Sequence, residues 1–237
     1  MRILGIETSG SAASCAILND EKLEGEIYLN HKLQHSVILF PMIQKLLDEV
    51  EICMDDIGAV AVSGGPGSFT GLRIGVAAAK GIAQGGNKKF CAISSLDAMA
   101  FQAAQFSGII CPIVDALRED VYTAFYTWQE GELLKTKDYD VLNIDELLQT
   151  LYGKKENIIF CGDAVQKYKN KIEEKLENKA HFLPLSYSLP KASSLAELAK
   201  IRIEKGMEDD IYTYSPIYIR KSQAEREYEK KNGKSAN

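Results

Sequence analysis

"SGGPGSFTGLRIGVAAAKGIA", residues 63–83, is the stretch on which the reading of this chain turns. A glycine-rich loop runs into a segment of helical spacing lined with Gly and Ala. Either the loop amides cradle a phosphate, or the missing side chains let another backbone come close. A Walker A loop carries a Lys that reaches the phosphates, whereas Gly71 is followed by Leu72. A dinucleotide fingerprint, GxGxxG, begins at Gly65 and Gly67 but meets Thr70 where its last Gly belongs. The helical reading explains more. Gly67, Gly71, Gly75 and Ala79 recur every four residues and so share one helix face. Each interior Gly costs about 1 kcal/mol relative to Ala, a cost tolerated where a close approach needs it. The surface approached is either the chain's own sheet or a partner. The helix N-terminus also leaves a minor anion site open.

Working outward, "IGAVAVS" ahead of this stretch and "KFCAIS" after it read as buried strands. "RILGIET" and "ASCAIL" read as two strands joined by a small-residue loop, and "GEIYLN" as a third. Residues 36–50 have helical spacing with Pro41 inside, where the helix either starts or kinks. Its apolar positions cover more than the stripe of about 100° that one-sided packing requires. "SSLDAMAFQAAQ" reads as a helix with Ser94 and Asp97 at capping-box spacing. The pattern restarts near Ser107-Gly108 with the strand "IICPIVD", the alternating "DVYTAFYTW", its pairing candidate "GELLKTKDYDVLN", and "NIIFCGDA". The charged helix "VQKYKNKIEEKLENK" follows, and then "SSLAELAKIRIEKG", with Ser194 as expected N-cap, Glu197 three residues on and Gly206 past the end. Each half opens with strands and then interleaves helices. The expectation is two similar α/β lobes. Residues 1–107 form an N-terminal lobe carrying the glycine-rich helix and a partner interface. Residues 108–237 form a C-terminal lobe, whose charged tail from about 221 either packs back or is disordered.

The 237 residues carry a net charge of −5 and no long basic stripe, which argues against a stand-alone nucleic-acid binder. Arg73, Lys80, Lys88 and Lys89 are candidate phosphate contacts within an assembly, or a solvated rim, the reading the acidic balance favours. The five cysteines have no CxxC spacing, and four lie in apolar runs, as reduced buried thiols do. The first residues do not read as a signal peptide, and no run of 18 apolar residues occurs. A soluble, cytoplasmic protein without membrane association is expected.

Catalytic groups are scarce. His31, His35 and His181 make no HxxxH or HExxH pair, and no GxSxG elbow occurs. Glu7 and Asp115 each end a predicted strand. Carboxylates there either hold a metal–nucleotide in an interlobe cleft or cap turns. Asp163 in "FCGDA" reads as a turn or N-cap residue.

"RILGIETS", "SGGPGSFTGLRIGVAAAKGIA", "AISSLDAMA", "VDALREDVY", "FCGDA" and "SPIYIR" together resemble the TsaB (YeaZ) family over nearly the whole chain, with "GPGSFTGLRIG" the most specific motif. The resemblance implies the two-lobed actin–sugar kinase–Hsp70 fold, which is ribonuclease H-like. It also implies a role in forming threonylcarbamoyladenosine beside the anticodon of tRNAs that read codons starting with A. In that pathway TsaC makes threonylcarbamoyl-adenylate and TsaD transfers the group to tRNA. TsaE is an ATPase. TsaB binds TsaD without catalysis of its own. TsaD, itself similar, has Cys-Asp-Glu-Thr after "GIETS", where this chain has Gly10-Ser11-Ala12-Ala13. The TsaD metal-binding HxxxH aligns with Ser95 and Met99 here, and a paired glycine is reduced to Gly162-Asp163.

The resemblance further implies where partners bind. Residues 38–50 and 71–83 would pack as a four-helix cluster against a TsaD-type transferase, or form a homodimer when the chain is alone. The interface residues expected on this basis are Ile38, Leu39, Met42, Ile43, Leu46, Gly71, Gly75, Val76 and Ala79. A TsaE-type ATPase and tRNA would join through the complex. No cofactor of its own is expected, with ATP or ADP bound at most in the partner complex. Glu7, Thr8, Ser9 and Asp115 are the candidate cleft or nucleotide contacts. The alternative reading is a nucleotide-binding hydrolase or kinase of the same fold that uses the interlobe cleft.

Overall fold

The apolar runs become two five-stranded sheets in the computed structural model, which describes residues 1–31, 34–217 and 219. The first contains β1 (Arg2–Glu7), β2 (Ala13–Leu18), β3 (Leu23–Leu29), β4 (Ile57–Gly65) and β5 (Lys89–Ser94), in the order β3-β2-β1-β4-β5. The second contains β6 (Ile109–Asp115), β7 (Asp120–Gln129), β8 (Glu132–Asn143), β9 (Ile158–Cys161) and β10 (Ala180–Phe182), in the order β10-β9-β6-β7-β8. In each, three antiparallel strands are followed by two parallel ones, β1–β4–β5 and β6–β9–β10. Read from the antiparallel edge, the two orders are identical. The chain therefore has the duplicated, ribonuclease H-like α/β architecture of the actin–sugar kinase–Hsp70 type.

The helices repeat as well. α1 (His35–Glu49) follows β3, and α2 (Phe69–Gly85) links β4 to β5. α3 (Ser95–Phe101) leads into the second sheet, where α4 (Ile144–Tyr152) follows β8 and α5 (Ala164–Leu176) links β9 to β10. The short α6 (Leu185–Ser188) and α7 (Ala192–Glu204) are the last α-helices among the described residues. Sequence reading passes over α4, although Ile144, Leu147, Leu148 and Leu151 form a buried stripe and Asn143 accepts from the Asp145 amide at 3.0 Å. Pro41 lies inside α1.

α7 does not stay with the second sheet. Leu195, Ala196, Ala199 and Ile203 pack on Ile3, Leu18, Ala59, Ala61, Cys91 and Ile93 of the first sheet. The expected C-terminal lobe of 108–237 is corrected at this helix: burying its apolar stripe requires the first sheet's open face. Ser194 is not the N-cap. The helix begins at Ala192, and its free amides are met from other strands, Ala192 N–H by Ser14 Oγ at 2.9 Å and Ser193 N–H by Glu26 Oε1 at 3.0 Å. At α3, Ser94 does cap, accepting from the Leu96 amide at 3.2 Å, but Asp97 is engaged elsewhere and closes no capping box. The tail from about 221 lies outside the described residues.

The glycine face of α2 meets Thr8, in the loop directly after β1, and Val62 of β4. A Cβ on Gly71 would lie 2.1 Å from the Thr8 carbonyl oxygen, and one on Gly75 would lie 2.3 Å from Thr8 Oγ1. Thr8 Oγ–H donates to the Gly71 carbonyl at 2.8 Å across this seam. Val76 and Ala79, with Ile38, Leu39, Met42, Ile43 and Leu46 of α1, lie in the core of the same lobe. These residues, expected at a partner interface, are buried within the chain itself, where each fully buried aliphatic side chain contributes about 1.5–3 kcal/mol. Gly75→Leu is accordingly expected to destabilise the fold by about 3 kcal/mol through overpacking. At Gly81 a Cβ would meet nothing within 4 Å, so Gly81→Ala is expected to stabilise by up to about 1 kcal/mol. Chemical-denaturation midpoints of the two variants check both signs.

Candidate functional site

The candidate places are the strand ends that carry Glu7 and Asp115, and the outer face of α1 and α2. At the first, Glu7 ends β1 fully buried, with Oε1 accepting from the Ser9 amide. Its Oε2 is buried beside the Ser63 hydroxyl. Burial pushes the Glu7 carboxyl up, against the pull of the Ser9 amide. Thr8 is committed to Gly71, and the Ser9 carbonyl accepts from the Ser68 amide at 2.7 Å.

Asp115, at the end of β6, is used locally. Its Oδ1 accepts from the Leu117 amide at 3.1 Å and from Lys167 Nζ at 3.2 Å, while its own amide donates to Asp163 Oδ1 at 2.9 Å. Asp163 thus ties the ends of β6 and β9 together. Asp115 thus takes the turn-capping role that the sequence offered as its alternative, whereas Asp163 makes no side-chain cap on α5 and bridges two strand ends. Ser95 donates to the Pro66 carbonyl and Met99 is buried under the second sheet, so both are structural in this chain. Among the described residues no group of three or more His, Cys, Asp or Glu is placed to hold a metal ion. Cys15, Cys91, Cys111 and Cys161 are buried free thiols, and burial pushes that of Cys91 up to about 11. Among the described residues no helix is long and apolar enough to cross a membrane.

The candidate phosphate contacts have partners within the chain. Arg73 stacks over the Phe69 ring at 3.8 Å and Lys80 donates to the Tyr214 carbonyl at 2.8 Å. Lys88 donates to the Ile57 carbonyl at 2.8 Å, and Lys89 pairs with Glu208 at 3.3 Å.

The outer face of α1 and α2 is different. A groove of about 550 Å³ runs between the helices, lined by Leu39 and Phe40 from α1 and by Ile74, Ala77, Gly81 and Ile82 from α2. Phe40 is 56% exposed and Val37, one turn away, 63%. Ile74, Ala77, Ala78, Gly81 and Ile82 follow i, i+3, i+4, i+7, i+8 spacing, an apolar stripe beside the glycine face. The glycine face beside it is turned into the chain's own fold. Of the expected interface residues, only Leu39 lines this groove.

The linkage of Glu7 has a definite sign. A carboxyl whose pKa is raised in the fold binds its proton more tightly there than in the unfolded chain, where it ionises at about 4.3, so its contribution to stability falls as pH rises above that value. Glu7→Gln keeps the acceptor for Ser9 and removes the ionisation. The variant is expected to melt above the parent at pH 7–8, with the gap closing toward pH 4, measured by thermal melts across that range.

Comparison with known proteins agrees with this architecture. The profile described as TsaD, tRNA N6-adenosine threonylcarbamoyltransferase, matches residues 28–228. The chain is 32% identical over 228 residues to the tRNA threonylcarbamoyladenosine biosynthesis protein TsaB of Bacillus subtilis, covering 96% of this chain and 98% of that protein. It is also 32% identical over 160 residues to the Escherichia coli TsaB, covering 65% and 69%. The solved structure of YeaZ from Pseudomonas aeruginosa superposes with a TM-score of 0.77 at 26% identity, covering 92% of this chain and 100% of that one. By fold, sequence and extent of match, this chain belongs to the TsaB (YeaZ) family of tRNA threonylcarbamoyladenosine biosynthesis proteins, within the wider group matched by the TsaD profile.

Proposed function

We propose that this chain is a non-catalytic subunit in the formation of threonylcarbamoyladenosine next to the anticodon of tRNAs that read codons starting with A. It binds and activates a TsaD-type transferase and helps recruit a TsaE-type ATPase, with tRNA engaged through the complex in the cytoplasm. The observation that carries this reading is the apolar groove between α1 and α2, with Phe40 and Val37 exposed beside it. Large apolar side chains held in water at a preformed groove favour a helix-bearing partner, which gains about 1.5–3 kcal/mol for each such side chain it buries. The non-catalytic part of the reading is supported by what the strand-end carboxylates do. Asp115 caps its own turn, Asp163 ties the end of β6 to that of β9, and Glu7 is buried with its carboxyl pushed toward the neutral form.

The docking surface proposed is thus the α1–α2 groove rather than the glycine face. It also serves a homodimer when the chain is alone. ATP or ADP, where it takes part, is a ligand of the assembled complex. Gly81→Arg fills the groove from an open position, and Phe40→Asp places a charge at its rim. Each is expected to weaken binding to a TsaD-type transferase about tenfold or more, with the melting temperature kept or raised, and to abolish stimulation in a reconstituted tRNA modification assay. Calorimetry and that assay, run with and without this chain, check it. Unchanged affinity in both folded variants would sink the docking face. Full modification in the absence of the chain would sink the role.

A further inference from the structure

The sequence singles out Asp97 for a helix cap, and the structure uses it for something else. Asp97 lies on α3, the helix between the two sheets. Tyr126 of β7 donates its phenol O–H to Asp97 Oδ1 at 2.6 Å. Tyr139 of β8 donates to Oδ1 at 2.9 Å and Oδ2 at 2.8 Å. One carboxylate thus holds two strands of the second sheet from a helix that begins where the first sheet ends. Tyr126 is fully buried, and burial together with the Asp97 charge pushes both phenols up, so they remain neutral donors.

The surroundings are apolar. Leu96, Met99 and Ala100 of α3 pack against Ile110, Ala124 and Ile159 of the second sheet, and Phe101 meets Trp128 edge to face at 5.9 Å. Such contacts are non-directional and tolerate sliding, whereas charge-assisted hydrogen bonds from two phenols fix an orientation. On its other side α3 packs with α7, which is bound to the first sheet. The carboxylate therefore stands in a continuous line from one sheet to the other.

We infer that Asp97 is a positioning residue that sets the angle between the two sheets, so that the chain acts as one rigid body and not as two lobes that open and close. The inference is independent of the docking role proposed above. It is tested on the full chain with spin labels at Lys45→Cys on α1 and Gln149→Cys on α4, both exposed, in a Cys53→Ser background. The unaltered joint should give a single narrow label-to-label distance. Asp97→Asn, which keeps one acceptor oxygen, should broaden it. Tyr139→Phe, which removes one donor with little change of shape, should broaden it less. Amide exchange in β7 and β8 should quicken about tenfold or more in Asp97→Asn, with exchange in β1 and β4 unchanged and far-ultraviolet circular dichroism that of the parent. A broad distribution before any joint mutation overturns the proposal. So does an unchanged distribution in folded Asp97→Asn and Tyr139→Phe, since the apolar packing alone would then set the angle. If Asp97→Asn does not fold, Tyr139→Phe decides by the same two readouts.

Discussion

The approach of α2 to Thr8 is the contact on which the first lobe depends. A helix backbone normally stands off a strand by the width of its side chains. Here Gly71 and Gly75 remove that spacing, and the Thr8 hydroxyl reaches the Gly71 carbonyl directly. With α2 held so low, Val76 and Ala79 reach the sheet and α1 packs beside them through Leu39, Met42 and Ile43. The same placement leaves the neighbouring stripe of α2 lining the groove beside Phe40. The seam and the groove are two faces of one helix, and the position of the first produces the second.

The polar groups follow the same economy of position. Backbone amides at the start of α7 are met by Ser14 and Glu26, residues almost the whole chain away in sequence. Asp163 closes the end of β6, Asp115 takes the next turn and Lys167, and Asp97 joins two tyrosines. Each carboxylate that a sequence presents as chemistry has a structural occupation. Glu7 is the exception: Oε1 accepts from the Ser9 amide, Oε2 is buried beside Ser63, and burial pushes the group toward its neutral form.

Much of the fold was legible because it is written in local periodicity. Nearly every strand of the two sheets was marked by a bounded apolar or alternating run. The helices at α1, α2, α5 and α7 were marked by spacing, and Gly206 by its place past the end of α7. The family followed from the glycine-rich core motif with its neighbours. What escaped depended on contacts between distant segments. α4 is a short helix directly after a long strand, where the period changes without a Gly or Pro to announce it. Ser194 looked like a cap because its local sequence offered one, but the amides found better acceptors on other strands.

The sequence by itself determined the two rounds of strands and helices, the helical stripe of glycines, the absence of a zinc or serine-hydrolase pattern, and membership of the TsaB family. Only the tertiary structure decided which way the stripes face. A spacing of four tells which residues share a helix face, but not whether that face meets the chain's own strand or the solvent. Likewise Asp97, read alone, is a capping carboxylate. It becomes the tie between the sheets only because β7 and β8 bring two phenols to it, and no local signal encodes a meeting of side chains 29 and 42 residues apart.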